Sequence, residues 1–187
     1  MQKLKLAFSY SVAKEIMPEL SFSKNNSRHT KFALILSTGE SISISEIEDI
    51  KKRTSLTPVF FDVFLGFHSE LLRSYARSLG ATIVKVQTKK DFADALKECS
   101  FTVTEEITGA LFSFLSHTPA YIDAGNYECR NFIGETTKWN ISSEIIMPYT
   151  KNRTAIIHRP TASDEDFSLA IKKFRADIDA KFQSVFF

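Results

Sequence analysis

Between residues 32 and 123 the chain alternates apolar runs of strand length with amphipathic stretches of helix length, and turn or cap residues mark each switch. Near-continuous apolar strands need cover on both faces, and only a crossover helix joins parallel neighbours compactly. The pattern therefore predicts an α/β fold: a three-layer Rossmann-like domain with a mainly parallel sheet of about five strands and a C-terminal packing helix.

The first unit is residues 32–37 (FALILS), then Thr38-Gly39-Glu40 and a helix over about 45–52, with Ser45 and Glu48 at capping-box spacing. The second is residues 59–65 (VFFDVFL) and a helix over 69–79, with Leu71, Leu72, Tyr75, Ala76 and Leu79 on one face and Gly80 at the C′ position. A third strand follows at 81–86. Thr88 with Asp91 then caps a helix whose stripe is Phe92, Ala95, Leu96 and Cys99. Residues 101–104 and 120–123 read as the fourth and fifth strands, with a helix at 109–116 between them. Beyond Gly125 the pattern loosens, and residues 145–147 and 155–158 read as short strands, each before a proline. Ser163 caps a last helix in which Phe167, Ala170, Ile171, Phe174, Ile178 and Phe182 keep helical spacing. Residues 1–30 form an N-terminal segment, polar and linker-like from 24 on, and 31–187 form the domain.

Composition narrows the function. The 187 residues are 43% hydrophobic and 25% charged, as expected of a globular domain, with a net charge of +2. That balance lacks the basic excess that phosphate-backbone binding needs, so nucleic acid is not an expected partner. No apolar stretch approaches the ~18 residues of a membrane span, and no leader pattern opens the chain, so a cytoplasmic location is expected. Cys99 and Cys129 are the two cysteines, without zinc-site spacing, and both read as free thiols; no metal site is expected.

Parallel α/β sheets bind ligands outside the carboxyl ends of their strands. Here those positions are Thr38 to Glu40, Phe67 with His68, Gln87 with Thr88, Glu105 to Thr108, and Asp123 to Asn126. The turn after the first strand carries one glycine, not G-x-G-x-x-G, so no dinucleotide cofactor is expected. A Walker A loop, a G-x-S-x-G elbow and an H-E-x-x-H pair are also missing, and no cofactor of any kind is assigned. The most specific stretch is 98–134, where the strand FTVT meets the helix GALFSFL through Glu105-Glu106-Ile107-Thr108. An anion would dock at that helix N-terminus, with Thr108 as N-cap and Gly109 giving room for close approach, of a ligand or of the strand beneath. Glu105 and Glu106 read as a carboxylate pair for sugar hydroxyls or a cation, or as acids complementing the helix dipole. His68 is the candidate proton carrier, and His117 reads as structural. Asp62, an acid inside an apolar strand, requires a hydrogen bond, an edge or a site. Trp139 and Tyr149 read as sugar-stacking rings or as pins for their loop.

At Thr104, Glu105, Gly109, Ala110, Thr118, Pro119, Asn126 and Arg130 the chain resembles the polysaccharide pyruvyl transferase family. There a T-E-R-L-H-G-A-like motif enters a helix, and a T-P strand and a turn bearing Asn, Lys and Arg follow. The resemblance covers about 32–134 and is firm in its last third. It implies half of a glycosyltransferase-B-like enzyme that moves a pyruvyl group from phosphoenolpyruvate onto a saccharide acceptor. It also implies that Asn126 and Arg130 meet the phosphate or carboxylate of phosphoenolpyruvate or of a nucleotide sugar. The family's arginine falls on Glu106, its histidine on Thr108 and its turn lysine on Glu128. Exchanging cations for carboxylates turns attraction for an anionic donor into repulsion. The reading is a pyruvyl transferase-like domain of surface-polysaccharide metabolism that binds a phosphorylated donor or a sugar, with its chemistry degenerate. The alternative is a non-catalytic module that assembles with itself or with a partner N-terminal half through the aromatic tail at 182–187.

Overall fold

In a computed structural model, the described residues are 29–37, 40–62, 69–139 and 141–186, with the side chains of 69, 71 and 181–186 outside the description. The order of elements is β1 (Lys31–Ile35), α1 (Ile44–Thr54), β2 (Thr57–Asp62), α2 (Ser69–Leu79), β3 (Thr82–Lys85), α3 (Lys89–Lys97) and β4 (Cys99–Thr104). Then come α4 (Ile107–Leu115), β5 (Ala120–Asp123), α5 (Tyr127–Thr136), β6 (Ile146–Tyr149) and α6 (Asp164–Phe186), with 3-10 turns at Thr137–Trp139 and Thr154–Ile156.

The strands form one six-stranded sheet in the order β3-β2-β1-β4-β5-β6, and every neighbouring pair is parallel. The order reverses between β1 and β4, the topological switch point where Rossmann-like sheets open a crevice. Side chains alternate across the sheet as the period of two requires. Phe32, Leu34 and Phe60 face a layer with Ile47 and Ile50 of α1 and Leu72 and Ala76 of α2. Ala33, Ile35, Val59 and Phe61 face the other layer, made by α3, α4, α5 and α6. The fold is a three-layer α/β domain closed by its C-terminal helix.

Local chemistry explains where the elements begin and end. Two S-x-x-E frames overlap before α1, and the structure uses Ser43 with Glu46 as the capping box in place of Ser45 with Glu48. The choice places Ile47 and Ile50 in the core. Thr88 caps α3 by accepting the Asp91 N–H, as its spacing predicts. Gly80, at φ 60°, ends α2. Around it the Ala81 N–H reaches the Ala76 carbonyl and the Gly80 N–H reaches Arg77, the Schellman arrangement.

Three expectations shift. Residues 145–147 do mark a strand, but it runs to Tyr149 and becomes the sixth. Pro148 is tolerated there because, among the described residues, β6 has a neighbour only on the β5 side. Residues 155–158 are not a strand: the Arg53 guanidinium takes the carbonyls of Thr154, Ala155 and Ile157, so no ladder is needed. The helix expected at 109–116 starts two residues earlier, at Ile107. Strand β2 is described to Asp62, its half-buried last residue, and 63–65 lie outside the described residues. Among the described residues no helix is long and apolar enough to cross a membrane.

Candidate functional site

At the switch point the carboxyl ends of β1, β4, β5 and β6 converge on a cavity of about 470 Å³. Its walls include Ser37, Glu40 and Ser41 from the β1–α1 turn, Glu105 after β4, Asp123, Gly125 and Asn126 at and after the end of β5, and Thr150 with Lys151 after β6. That size suits a small polar ligand.

Glu105 forms its floor and is only 5% exposed. One carboxylate oxygen accepts from the Ser37 N–H at 2.8 Å and the Ser37 hydroxyl at 3.2 Å. The other accepts from the Ser41 N–H at 3.0 Å and the Ser41 hydroxyl at 2.6 Å. Because the single Ser41 proton goes to Glu105, the Tyr149 hydroxyl 2.8 Å away is the donor to Ser41 Oγ. Tyr149 is buried, and desolvation pushes its phenol well above the usual range, with Asp123 and Glu105 adding to the shift. It is a pin for the β1–α1 turn, not an exposed stacking ring.

Asp123 ends β5, and its Oδ1 accepts the Gly125 N–H at 2.8 Å. A Cβ at Gly125 would lie 3.0 Å from that oxygen, so glycine lets the carboxylate fold over its own turn. Burial raises the Asp123 pKa above the ordinary value and the Glu105 charge adds to it, while the Gly125 bond and the Arg130 charge pull it down. Asn126 lines the cavity, yet its side-chain oxygen is engaged as the N-cap of α5, accepting from Glu128 and Cys129 N–H groups. Arg130, one turn further along α5, is exposed and lies outside the cavity wall.

The α4 N-terminus does not line the cavity. Glu106, not Thr108, is the N-cap residue, and its side chain makes no capping bond. The reason is the Thr104 hydroxyl, which accepts the Glu106 N–H and donates to the Glu106 carbonyl, tightening the exit from β4 so that helix begins at Ile107. Thr108 thus becomes a half-buried helical residue. Gly109 serves packing: a Cβ there would meet Thr104 Oγ1 at 2.5 Å and Ile35 Cγ2 at 3.1 Å. His68 lies outside the described residues. His117 is buried far from this edge in the α4–β5 connection, stacked on Phe167 with Nδ1 3.3 Å from Asp164. Trp139 is buried against Phe132 and Phe174, and its Nε1–H donates to Asp177 at 2.8 Å, so it anchors α6.

The electrostatics of the edge are acidic. Burial pushes the Cys129 thiol up to about 12, and Asp123, Glu106, Glu128 and Glu105 all push the same way. The thiol is protonated at neutral pH and is no nucleophile. Cys99 is raised to about 12 chiefly by burial, and both cysteines are free. Among the described residues no group of His, Cys, Asp or Glu is placed to hold a metal ion.

Sequence reasoning reached Glu40, Glu105, Asp123, Gly125 and Asn126 through their places after strands. It missed Lys151 and Thr150, although the same rule finds them once β6 is drawn to Tyr149.

No family model matches the chain. No curated protein matches it either. Among solved structures it is similar to Methanocaldococcus jannaschii UDP-GlcNAc 2-epimerase in complex with UDP-GlcNAc and UDP, at 10% identity and a TM-score of 0.47. The match covers 94% of this chain and 51% of that one, so the chain spans about half the neighbour's length.

Proposed function

We propose that this chain is a pyruvyl transferase-like domain that binds a saccharide, and not free phosphoenolpyruvate, at the carboxyl edge of its sheet. The observation that carries the reading is the polarity of the cavity wall. Glu40 and Asp123 line it above the Glu105 floor, with Lys151 as the cationic lining residue among the described residues. Such a wall accepts hydrogen bonds from hydroxyl groups, and Lys151 and the backbone supply donors in return. A compact anion entering it meets like charge in a partly desolvated site, where repulsion is strongest. Glu106 and Glu128, at the places of the family's arginine and lysine, reinforce the acidic field beside Cys129. Phosphoenolpyruvate is therefore a poorer fit than a neutral sugar, or than a nucleotide sugar whose phosphates stay outside.

The test is a titration of the 15N-labelled chain with neutral hexoses, a nucleotide sugar and phosphoenolpyruvate. Saturable shifts of the Gly125, Asn126 and Lys151 amides with a sugar, weakened about tenfold or more by Asp123→Asn, are the expected result; loss of one charged-acceptor bond supports that magnitude. Saturation by phosphoenolpyruvate alone would overturn the reading.

A further inference from the structure

In a parallel α/β sheet the turn leaving the first strand at the switch point offers N–H and hydroxyl donors that an anionic ligand group ordinarily accepts. In this chain the Ser37 and Ser41 donors of that turn are already taken, by a side chain from 64 to 68 residues away in sequence. We propose that Glu105 is a resident anion, filling the Ser37 and Ser41 donors of the β1–α1 turn and so restricting the cavity to ligands that bring no phosphate or carboxylate to those two residues.

Several observations converge. The donors from Ser37 and Ser41 divide between the two carboxylate oxygens, the two-sided arrangement that a bound oxyanion adopts. Glu105 is buried, and the Tyr149 hydroxyl backs up Ser41 from β6, so the turn is held from the carboxyl ends of two other strands, β4 and β6. The Glu105 N–H also donates to the Ile35 carbonyl at 3.2 Å, tying the backbone beneath the carboxylate to the end of β1. A ligand anion at this turn would have to displace Glu105 and then sit beside it and Asp123. Glu105 is thus a specificity-determining residue that also positions the turn. The inference rests on the turn itself and stands whether or not a saccharide fills the cavity.

The experiment uses the full chain and small anions as probes. Glu105→Ala empties the donor set and leaves room for a carboxylate, whereas Glu105→Gln fills the space with a neutral amide. Thermal unfolding is compared in sodium formate and in sodium chloride of equal ionic strength. The expected result is a saturable formate-specific rise in Tm of roughly 2–4 °C for Glu105→Ala, and none for the wild type or Glu105→Gln. Equal behaviour in formate and chloride for a folded Glu105→Ala chain would overturn the proposal, as would the same rise in the wild type. If Glu105→Ala does not fold, inorganic phosphate added to the 15N-labelled wild type decides. Unmoved Ser37 and Ser41 amides support a filled turn, and saturable shifts overturn it. A failed sugar titration leaves both readouts intact, so the two readings fail separately.

Discussion

The sign of the Asp123 shift has a consequence for stability at the level of a single residue. Its pKa is raised in the fold from the ordinary value of 3.8, chiefly by desolvation. The native state therefore holds the proton more tightly than the unfolded chain, and stability falls as pH rises through the window between the two values. Above that window the carboxylate is ionised in both states and the cost persists to neutral pH. Asp123→Asn removes the titration but keeps an oxygen for the Gly125 N–H. The variant is expected to be at least as stable as the wild type at pH 7, with the wild type's loss of stability just above pH ~4 flattened. Urea midpoints collected across pH 3.5 to 7 check this; a parallel pair of profiles would show that Asp123 is not the group responsible. A residue that costs stability and lines a cavity is the kind retained for binding, which joins this measurement to the sugar titration.

At the scale of elements, the same substitution at two helix glycines separates packing from propensity. Gly109 in α4 abuts Thr104 and Ile35, while a Cβ at Gly134 in α5 would meet nothing within 4 Å. Gly109→Ala is expected to cost about 1–3 kcal/mol, because β4 and α4 must move apart. Gly134→Ala is expected to stabilise by about 0.5–1 kcal/mol through helix propensity and a less entropic unfolded chain. Adding Thr104→Ala to Gly109→Ala should recover part of the loss, a coupling that a double-mutant cycle in urea measures. These elements were legible because their signals are local: apolar runs for β1 and β2, the Thr88 cap, and Gly80 after α2. Where two local signals compete, as in the overlapping Ser43 and Ser45 frames, packing of Ile47 and Ile50 decides, and sequence spacing alone cannot. The site divided in the same way. Positions after strands were visible, but the Glu105 carboxylate reaching Ser37 and Ser41 is a long-range contact with no periodicity to announce it. Thr108 was misplaced as a cap because the hydroxyl that shapes the β4 exit belongs to Thr104, four residues earlier.

On the scale of the molecule, helix α4 depends on the chain's last element for cover. Helix α6 packs on α4 and on the 3-10 turn that carries Trp139. Phe174 lies between them, its ring 5.6 Å from Phe114 and 4.8 Å from Trp139. The bond from Trp139 to Asp177 orients the indole against the same helix. Helix α6 follows every strand in the chain and completes the layer over α4. The single tryptophan therefore reports on the junction of the sheet layer with its cover. If the two form one cooperative unit, Trp139 fluorescence and far-UV circular dichroism lose their native signals at one urea midpoint, with one slope. Phe174→Ala empties a fully buried aromatic site and is expected to cost about 3–5 kcal/mol, a large share of a typical domain's net stability. It should lower both midpoints together. A fluorescence transition that moves ahead of the circular dichroism one would instead mean that α6 detaches before the sheet unfolds. In that case the parallel sheet is a separate unit, and α6 is a removable cover over α4 and the Trp139 turn.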